Sequence, residues 1–113
     1  MSTYAPDRWV LVKAISDKGK HYRVVATFYG GYLGADAWKI SSGIANAKYE
    51  NDMWILPQVS GSVYECREGA YGMGLYTSMV LGECIERLGV AGCEMTILDE
   101  ADADDVLLAG VFE

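Results

Sequence analysis

Side chains that commonly carry out catalysis or bind metals are few in this sequence. It contains one histidine, His21, and three cysteines outside any CxxC pair, Cys66, Cys84 and Cys93. His21 lies in a segment with strand character, so a solvated histidine at a strand end is expected rather than a base that activates serine or cysteine. We expect the cysteines to be small, buried, reduced residues. A zinc site would need all three to converge on His21, so no metal is predicted.

Other catalytic signatures are also missing. The sequence has no Walker A motif, no HExxH motif and no EF-hand loop. The neighbouring carboxylates Asp102, Asp104 and Asp105 lie in an acidic segment, where solvated charge is the ordinary explanation and no cleft for acid–base work is implied. We therefore expect a protein without a cofactor that is not an enzyme, while leaving catalysis open as the minority interpretation.

A glycine-rich stretch, residues 69–74, precedes the strongest helix pattern of the chain. Glycines that lead into a helix can expose backbone N–H groups to an anion, and the helix N-terminus adds favourable partial charge. The spacing matches neither the dinucleotide fingerprint nor the P-loop, so a structural turn is the first interpretation. The alternative is a small phosphate-bearing ligand, such as a nucleotide. Its candidate binding residues are Arg67, Tyr71, Gly72, Gly74, Tyr76, Thr77 and Ser78.

A second stretch, residues 28–38, combines glycines with aromatic side chains. Tyrosine offers a large contact area with little rotamer entropy to lose, which is typical of adaptable binding surfaces. The candidate residues for a protein partner are Tyr29, Tyr32, Leu33 and Trp38. The alternatives are a wide turn whose rings pack into the core and a pocket for a small ligand.

Charge is concentrated at one end of the chain. Of the net charge of −7, residues 99–113 contribute −6, whereas residues 1–98 are almost neutral. A nucleic-acid partner is not expected, because binding phosphates requires a basic patch. Mimicry of nucleic acid would need carboxylates over a broad surface, which one terminal segment does not provide. An acidic end instead favours solubility or a basic partner.

Targeting and membrane signals are missing from the sequence. No apolar run approaches the roughly 18 residues of a membrane-spanning helix. Residues 1–8 lack a basic segment followed by an apolar one, which a secretory signal would need. We therefore predict a cytoplasmic protein with no membrane partner.

Hydrophobic periodicity predicts the strands that position these stretches. Residues 8–15 and 21–29 predict a hairpin around a polar turn that contains Gly19. In its second arm, Tyr22, Val24, Ala26 and Phe28 share the face better suited to a core. Further short strands are predicted at residues 37–42, 47–49, 53–56, 62–67 and 94–98, the middle ones forming an antiparallel meander.

One principal helix is predicted over residues 75–88, because Leu81, Cys84, Ile85 and Leu88 recur at helical spacing. Gly82 is interpreted as allowing the helix to lie close to a sheet, and the apolar run 79–81 predicts deep burial. Residues 99–113 form an acidic C-terminal extension. A short helix is favoured there over a frayed end, because its apolar side chains need cover.

These elements predict the architecture of the chain. Residues 1–113 are expected to form a single α+β domain. Its mostly antiparallel sheet of about five to six strands would pack against the principal helix. An exposed edge strand in such a sheet favours a homodimer.

Three segments, residues 28–44, 60–66 and 70–73, resemble small uncharacterised proteins encoded by bacteriophages and other mobile elements. The resemblance covers roughly half of the chain. It implies a setting rather than a chemistry, namely an accessory protein that acts inside a bacterium on a host or defence component. We therefore expect a non-catalytic binding protein that engages a host protein through its tyrosine-rich stretch or acidic end. The alternative is a protein that binds a nucleotide or signalling molecule.

Overall fold

The structure, a computed structural model, describes residues 2–17, 19–29, 37–73, 75–90, 92–110 and 112; the side chains of residues 75–77, 88 and 90 lie outside this description. The described residues form eight strands and two α-helices. The strands are β1 Thr3–Tyr4, β2 Arg8–Ser16, β3 Gly19–Phe28, β4 Ala37–Ile40, β5 Lys48–Glu50, β6 Met53–Pro57, β7 Val63–Arg67 and β8 Glu94–Ile97. The helices are α1 Leu75–Val90 and α2 Glu100–Ala109. Neither of these helices is long and apolar enough to cross a membrane.

The strands are divided between two sheets, each with four strands. One has the order β1-β7-β6-β5 and the other β4-β3-β2-β8. Among the described strands, the short β1 is the one that pairs in parallel, with β7, so the predicted α+β class and mostly antiparallel pairing are confirmed. The predicted single sheet of about five to six strands against one helix differs from this arrangement. Alternating polarity identifies strands but does not say which strands are neighbours.

The main core lies between the two sheets. Alternate residues of the β2–β3 hairpin, such as Trp9 opposite Ala26 and Leu11 opposite Val24, point to one side. They pack into one cluster with Leu56 and other buried residues from the second sheet. The predicted core face of β3 is therefore confirmed.

The opposite face of the same hairpin is buried as well. Val10, Val12 and Val25 form a second cluster with Leu81 of α1. Helix α1 therefore covers the outer face of this sheet.

Helix α1 begins at Leu75, as predicted, and ends at Val90. The prediction of deep burial was wrong: Leu81 is fully buried, but Met79 is 65% exposed. A helix that covers one sheet face needs only one apolar stripe. Gly82 is exposed, and a β-carbon added there would meet no atom within 4 Å, so close approach to the sheet does not explain this glycine.

Within the acidic segment, residues Glu100–Ala109 form helix α2. The Asp99 side chain caps its start by accepting a hydrogen bond of 2.8 Å from Asp102 N. The helix ends at Gly110, whose φ of 69° is left-handed. Ala103 and Leu107 are buried in the main core, so the acidic side chains flank a packed element.

Candidate functional site

A cavity of about 610 Å³ opens beside the beginning of β3. This volume is within the range of small-molecule sites, roughly 300–1,000 Å³. We call it the basic pocket. It is lined by Lys20, His21, Arg23, Ser42, Gly43, Ile44, Ala45, Val59, Gly110 and Phe112.

Strand geometry brings the two central groups of the basic pocket together. His21 and Arg23 are two residues apart on β3, so their side chains lie on the same side of the strand. After β4 ends, the chain continues beside β3. Ser41 N donates to Val24 O and Ile44 N donates to Tyr22 O, both at 2.8 Å. These bonds hold the wall formed by residues 42–45 next to the basic side chains.

The imidazole and the guanidinium are hydrogen-bonded to each other. Arg23 Nε donates to His21 Nε2 at 2.9 Å. Because Nε2 accepts, the ring proton lies on Nδ1, and this N–H has no partner among the described residues. Burial lowers the pKa of His21, and the charge of Arg23 lowers it further. The imidazole is therefore neutral at pH 7 and presents a donor.

The charge of the basic pocket is not balanced. No described lining residue is acidic, and the salt bridge recorded among the described residues lies elsewhere, between Lys48 and Glu50. The Arg23 guanidinium makes one further contact, from Nη1 to Ser41 O at 3.4 Å. The described lining of the pocket therefore offers positive charge and N–H donors and contains no carboxylate that would neutralise them.

The other side of the basic pocket is apolar. Ile44 and Phe112 belong to the main core, whereas Val59 is 69% exposed. Gly43 has a φ of 144°, and a β-carbon there would lie 3.5 Å from Val59 Cγ2 and 4.0 Å from His21 Cδ2. The missing side chain thus leaves open the space between the imidazole and the apolar wall.

The described side chains of the basic pocket form neither a serine–histidine pair nor a metal-binding cluster. Ser42 Oγ donates to Ser60 Oγ at 2.9 Å, while His21 Nε2 is occupied by Arg23. The described residues therefore contain no serine–histidine hydrogen bond in the pocket. They also contain no group of three or more histidine, cysteine or acidic side chains that could hold a metal ion.

The cysteines lie outside the basic pocket. Cys66 is buried, as predicted, and burial raises the pKa of its thiol, which makes it unreactive. Cys84 and Cys93 are partly exposed, contrary to the expectation of burial. All three are free thiols.

The predicted phosphate site is only partly within the described residues, because Gly74 and the side chains of Tyr76 and Thr77 lie outside them, whereas Ser78 is exposed on α1. The Gly72 N–H donates to Trp9 O at 2.8 Å, so it is already used. The Tyr71 hydroxyl accepts from Leu11 N at 3.0 Å and donates to Leu98 O at 2.7 Å. Both residues thus have structural partners.

Arg67 is exposed at the end of β7. It is the residue of the predicted phosphate site that faces a cavity, a second one separate from the basic pocket.

The tyrosine-rich stretch is also partly described. Tyr29 is 44% exposed and Trp38 is partly buried on β4. Tyr32 and Leu33 lie outside the described residues. Neither Tyr29 nor Trp38 lines the basic pocket.

Sequence reasoning missed the His21–Arg23 pair. The signal was present, since two basic groups at i and i+2 on a strand share one face. The missing information was that residues 41–45, Val59, Gly110 and Phe112, distant in sequence, would close the other sides.

Comparisons of the chain with protein-family models, curated proteins and solved structures give no match.

Proposed function

We propose that the protein is a non-catalytic binding protein that holds a small organic anion in the basic pocket. The observation that carries this proposal is the convergence of Lys20, His21 and Arg23 on one cavity without a described acidic neighbour. The chain has a net charge of −7, so this local positive charge is opposite in sign to the charge of the protein as a whole. Unpaired basic groups in a concave site favour an anionic ligand.

The lining indicates the chemistry of the ligand. A carboxylate or phosphate group would accept hydrogen bonds from the Arg23 guanidinium and from His21 Nδ1–H, and such charge-assisted bonds contribute about 1.5–3 kcal/mol each. An apolar or aromatic portion would pack against Ile44, Val59 and Phe112. This ligand class includes nucleotides, with the phosphate placed beside β3 rather than at the glycine-rich stretch before α1.

The test is calorimetric titration with nucleoside monophosphates and aromatic carboxylates, after a thermal-shift screen of the same compounds. A ligand at 100 times its Kd stabilises the folded protein by about 2.7 kcal/mol. Arg23→Gln should weaken binding by about tenfold or more, since one charge-assisted bond is lost. Arg87→Gln removes the same charge from an exposed position on α1 and should leave affinity unchanged. Equal losses in both variants, or no binding by any anion, would overturn the proposal.

A second candidate function, suggested by the exposed Tyr29, is binding of a bacterial host protein in the cytoplasm. The resemblance to proteins of bacteriophages and mobile elements supports this setting, and large exposed aromatic side chains are common anchors at protein interfaces. Tyr29→Ala should abolish capture of a defined partner by the purified protein. Tyr49→Ala, at a similarly exposed tyrosine (46%), should retain it.

A further inference from the structure

A second cavity, of about 540 Å³, lies where β2 begins and β7 ends. Its charged lining residues are two arginines, Arg8 and Arg67, and two aspartates, Asp7 and Asp52. We call it the mixed-charge pocket. The formal charges of these four side chains sum to zero, whereas the described lining of the basic pocket is positive. The two pockets should therefore select different kinds of ligand.

The arginines are positioned by backbone groups rather than by carboxylates. Arg67 Nη2 donates to Asp7 O at 3.2 Å. A β-carbon added at Gly72 would lie 2.6 Å from Arg8 Nη1, so the guanidinium of Arg8 occupies the space that this glycine leaves. No salt bridge of either arginine is recorded within the described part of the chain. Both guanidinium groups can therefore pair with an external anion.

Each aspartate has one carboxylate oxygen in contact with another group of the fold. Asp7 Oδ2 accepts from Tyr29 N at 2.7 Å. Asp52 Oδ1 lies 3.3 Å from the Tyr49 hydroxyl, whose single proton is donated to the closer Glu68 Oε2. The second oxygen of each carboxylate has no hydrogen-bond partner among the described residues, so both can accept from a cationic group.

From this juxtaposition we infer that the mixed-charge pocket binds a small zwitterion of the amino-acid type. Arg8 and Arg67 would hold its carboxylate, since guanidinium groups match carboxylate geometry. Asp7 and Asp52 would meet its ammonium group. A simple anion would be repelled by the aspartates and a simple cation by the arginines, so the pocket discriminates through unfavourable as well as favourable contacts.

The inference is independent of the proposed function, because the two pockets share no lining residue. The experiment is a thermal-shift screen of the common free L-amino acids, followed by calorimetry on the best binder. Each affinity is compared with those of the matching carboxylic acid and the matching amine. For L-leucine these analogues are 4-methylpentanoate and 3-methylbutylamine. We expect the amino acid to bind at least about tenfold more tightly than either analogue, about 1.4 kcal/mol.

Two substitutions distinguish ligand contacts from structural roles. Arg67→Gln should weaken amino-acid binding by about tenfold, because a charge-assisted pair is lost. Asp52→Asn should remove the preference for the amino acid over the carboxylic acid while leaving the fold intact. Asparagine tolerates the φ of 59° at this position and is nearly the same size as aspartate, so it can keep the contact with the Tyr49 hydroxyl.

Two results would overturn the inference. One is the absence of any amino-acid binding at millimolar concentration, and the other is a carboxylic acid that binds as tightly as the amino acid. Neither result bears on the basic pocket, whose anion affinity should be the same in Arg67→Gln and in the unsubstituted protein. Arg23→Gln provides the reverse control and should leave amino-acid binding unchanged.

Discussion

Replacing Tyr71 with phenylalanine tests whether its hydroxyl completes the pairing between β2 and the chain that follows β8. At this end of the ladder, Leu98 N donates directly to Leu11 O at 3.0 Å. The return bond runs through the phenol: Leu11 N donates to the hydroxyl at 3.0 Å, and the hydroxyl donates to Leu98 O at 2.7 Å. Tyr71→Phe leaves a buried N–H and a C=O unpaired while preserving the ring packing against Trp9. At about 1–3 kcal/mol for each of the two orphaned groups, the loss should be about 2–6 kcal/mol.

The assay is urea denaturation at pH 7, followed by circular dichroism, with a thermal scan alongside. The loss corresponds to a Tm lower by about 8–25 °C for a domain of this size. Tyr29→Phe is the matched control, because its hydroxyl has no hydrogen-bond partner among the described residues and its ring is 44% exposed. If the two variants lose the same free energy of unfolding, the bridging role of Tyr71 is refuted.

Three further predictions concern stability. Gly82→Ala should stabilise the protein by about 0.5–1 kcal/mol in the same assay, because the methyl group meets no atom within 4 Å; destabilisation would show hidden packing at this site. Gly72→Ala should lower the free energy of unfolding by about 1–3 kcal/mol, because φ is 145° and the added β-carbon would meet Arg8. Gly61→Ala is the control: its φ is 96° and the added methyl group meets open space, so it measures the backbone contribution alone. Burial raises the pKa of Tyr64 and of Tyr71 from 10.0 to about 12. Because these pKa values are higher in the folded state than in the unfolded state, the free energy of unfolding should have its full value below pH 10 and should fall as the pH rises towards 12. Denaturation at pH 9, 10 and 11 checks this, and Tyr71→Phe should show a shallower decline.

Local patterns predicted most of the elements correctly. The β2–β3 hairpin alternates clearly enough to identify its core face, and Leu81 with Ile85 marks the packed side of α1. The assignment of strands to two sheets was not accessible, because it depends on long-range pairings such as Val63 with Thr3. The exposure of Met79 was missed for a similar reason: a run of apolar residues does not reveal how many sides of a helix are covered.

The site was harder to predict than the fold. Glycine and tyrosine content drew attention to residues 28–38 and 69–78, yet the described part of these stretches is tied into the fold at Tyr71 and Gly72. The basic pocket depends on four segments that meet only in the folded chain, namely residues 20–23, residues 42–45, Val59, and Gly110 with Phe112. His21 in isolation resembles a solvated strand end, and its role depends on Arg23 and on the wall around Gly43.

The most direct test of anion binding at the basic pocket uses the fact that the protein contains a single histidine. Its imidazole resonances are therefore assigned without ambiguity in a nuclear magnetic resonance titration. Addition of a nucleoside monophosphate or aromatic carboxylate that binds should shift the His21 resonances. It should also raise the pKa of His21, because a bound anion favours the protonated ring. Resonances and a pKa that stay unchanged at saturating ligand would contradict binding at this pocket.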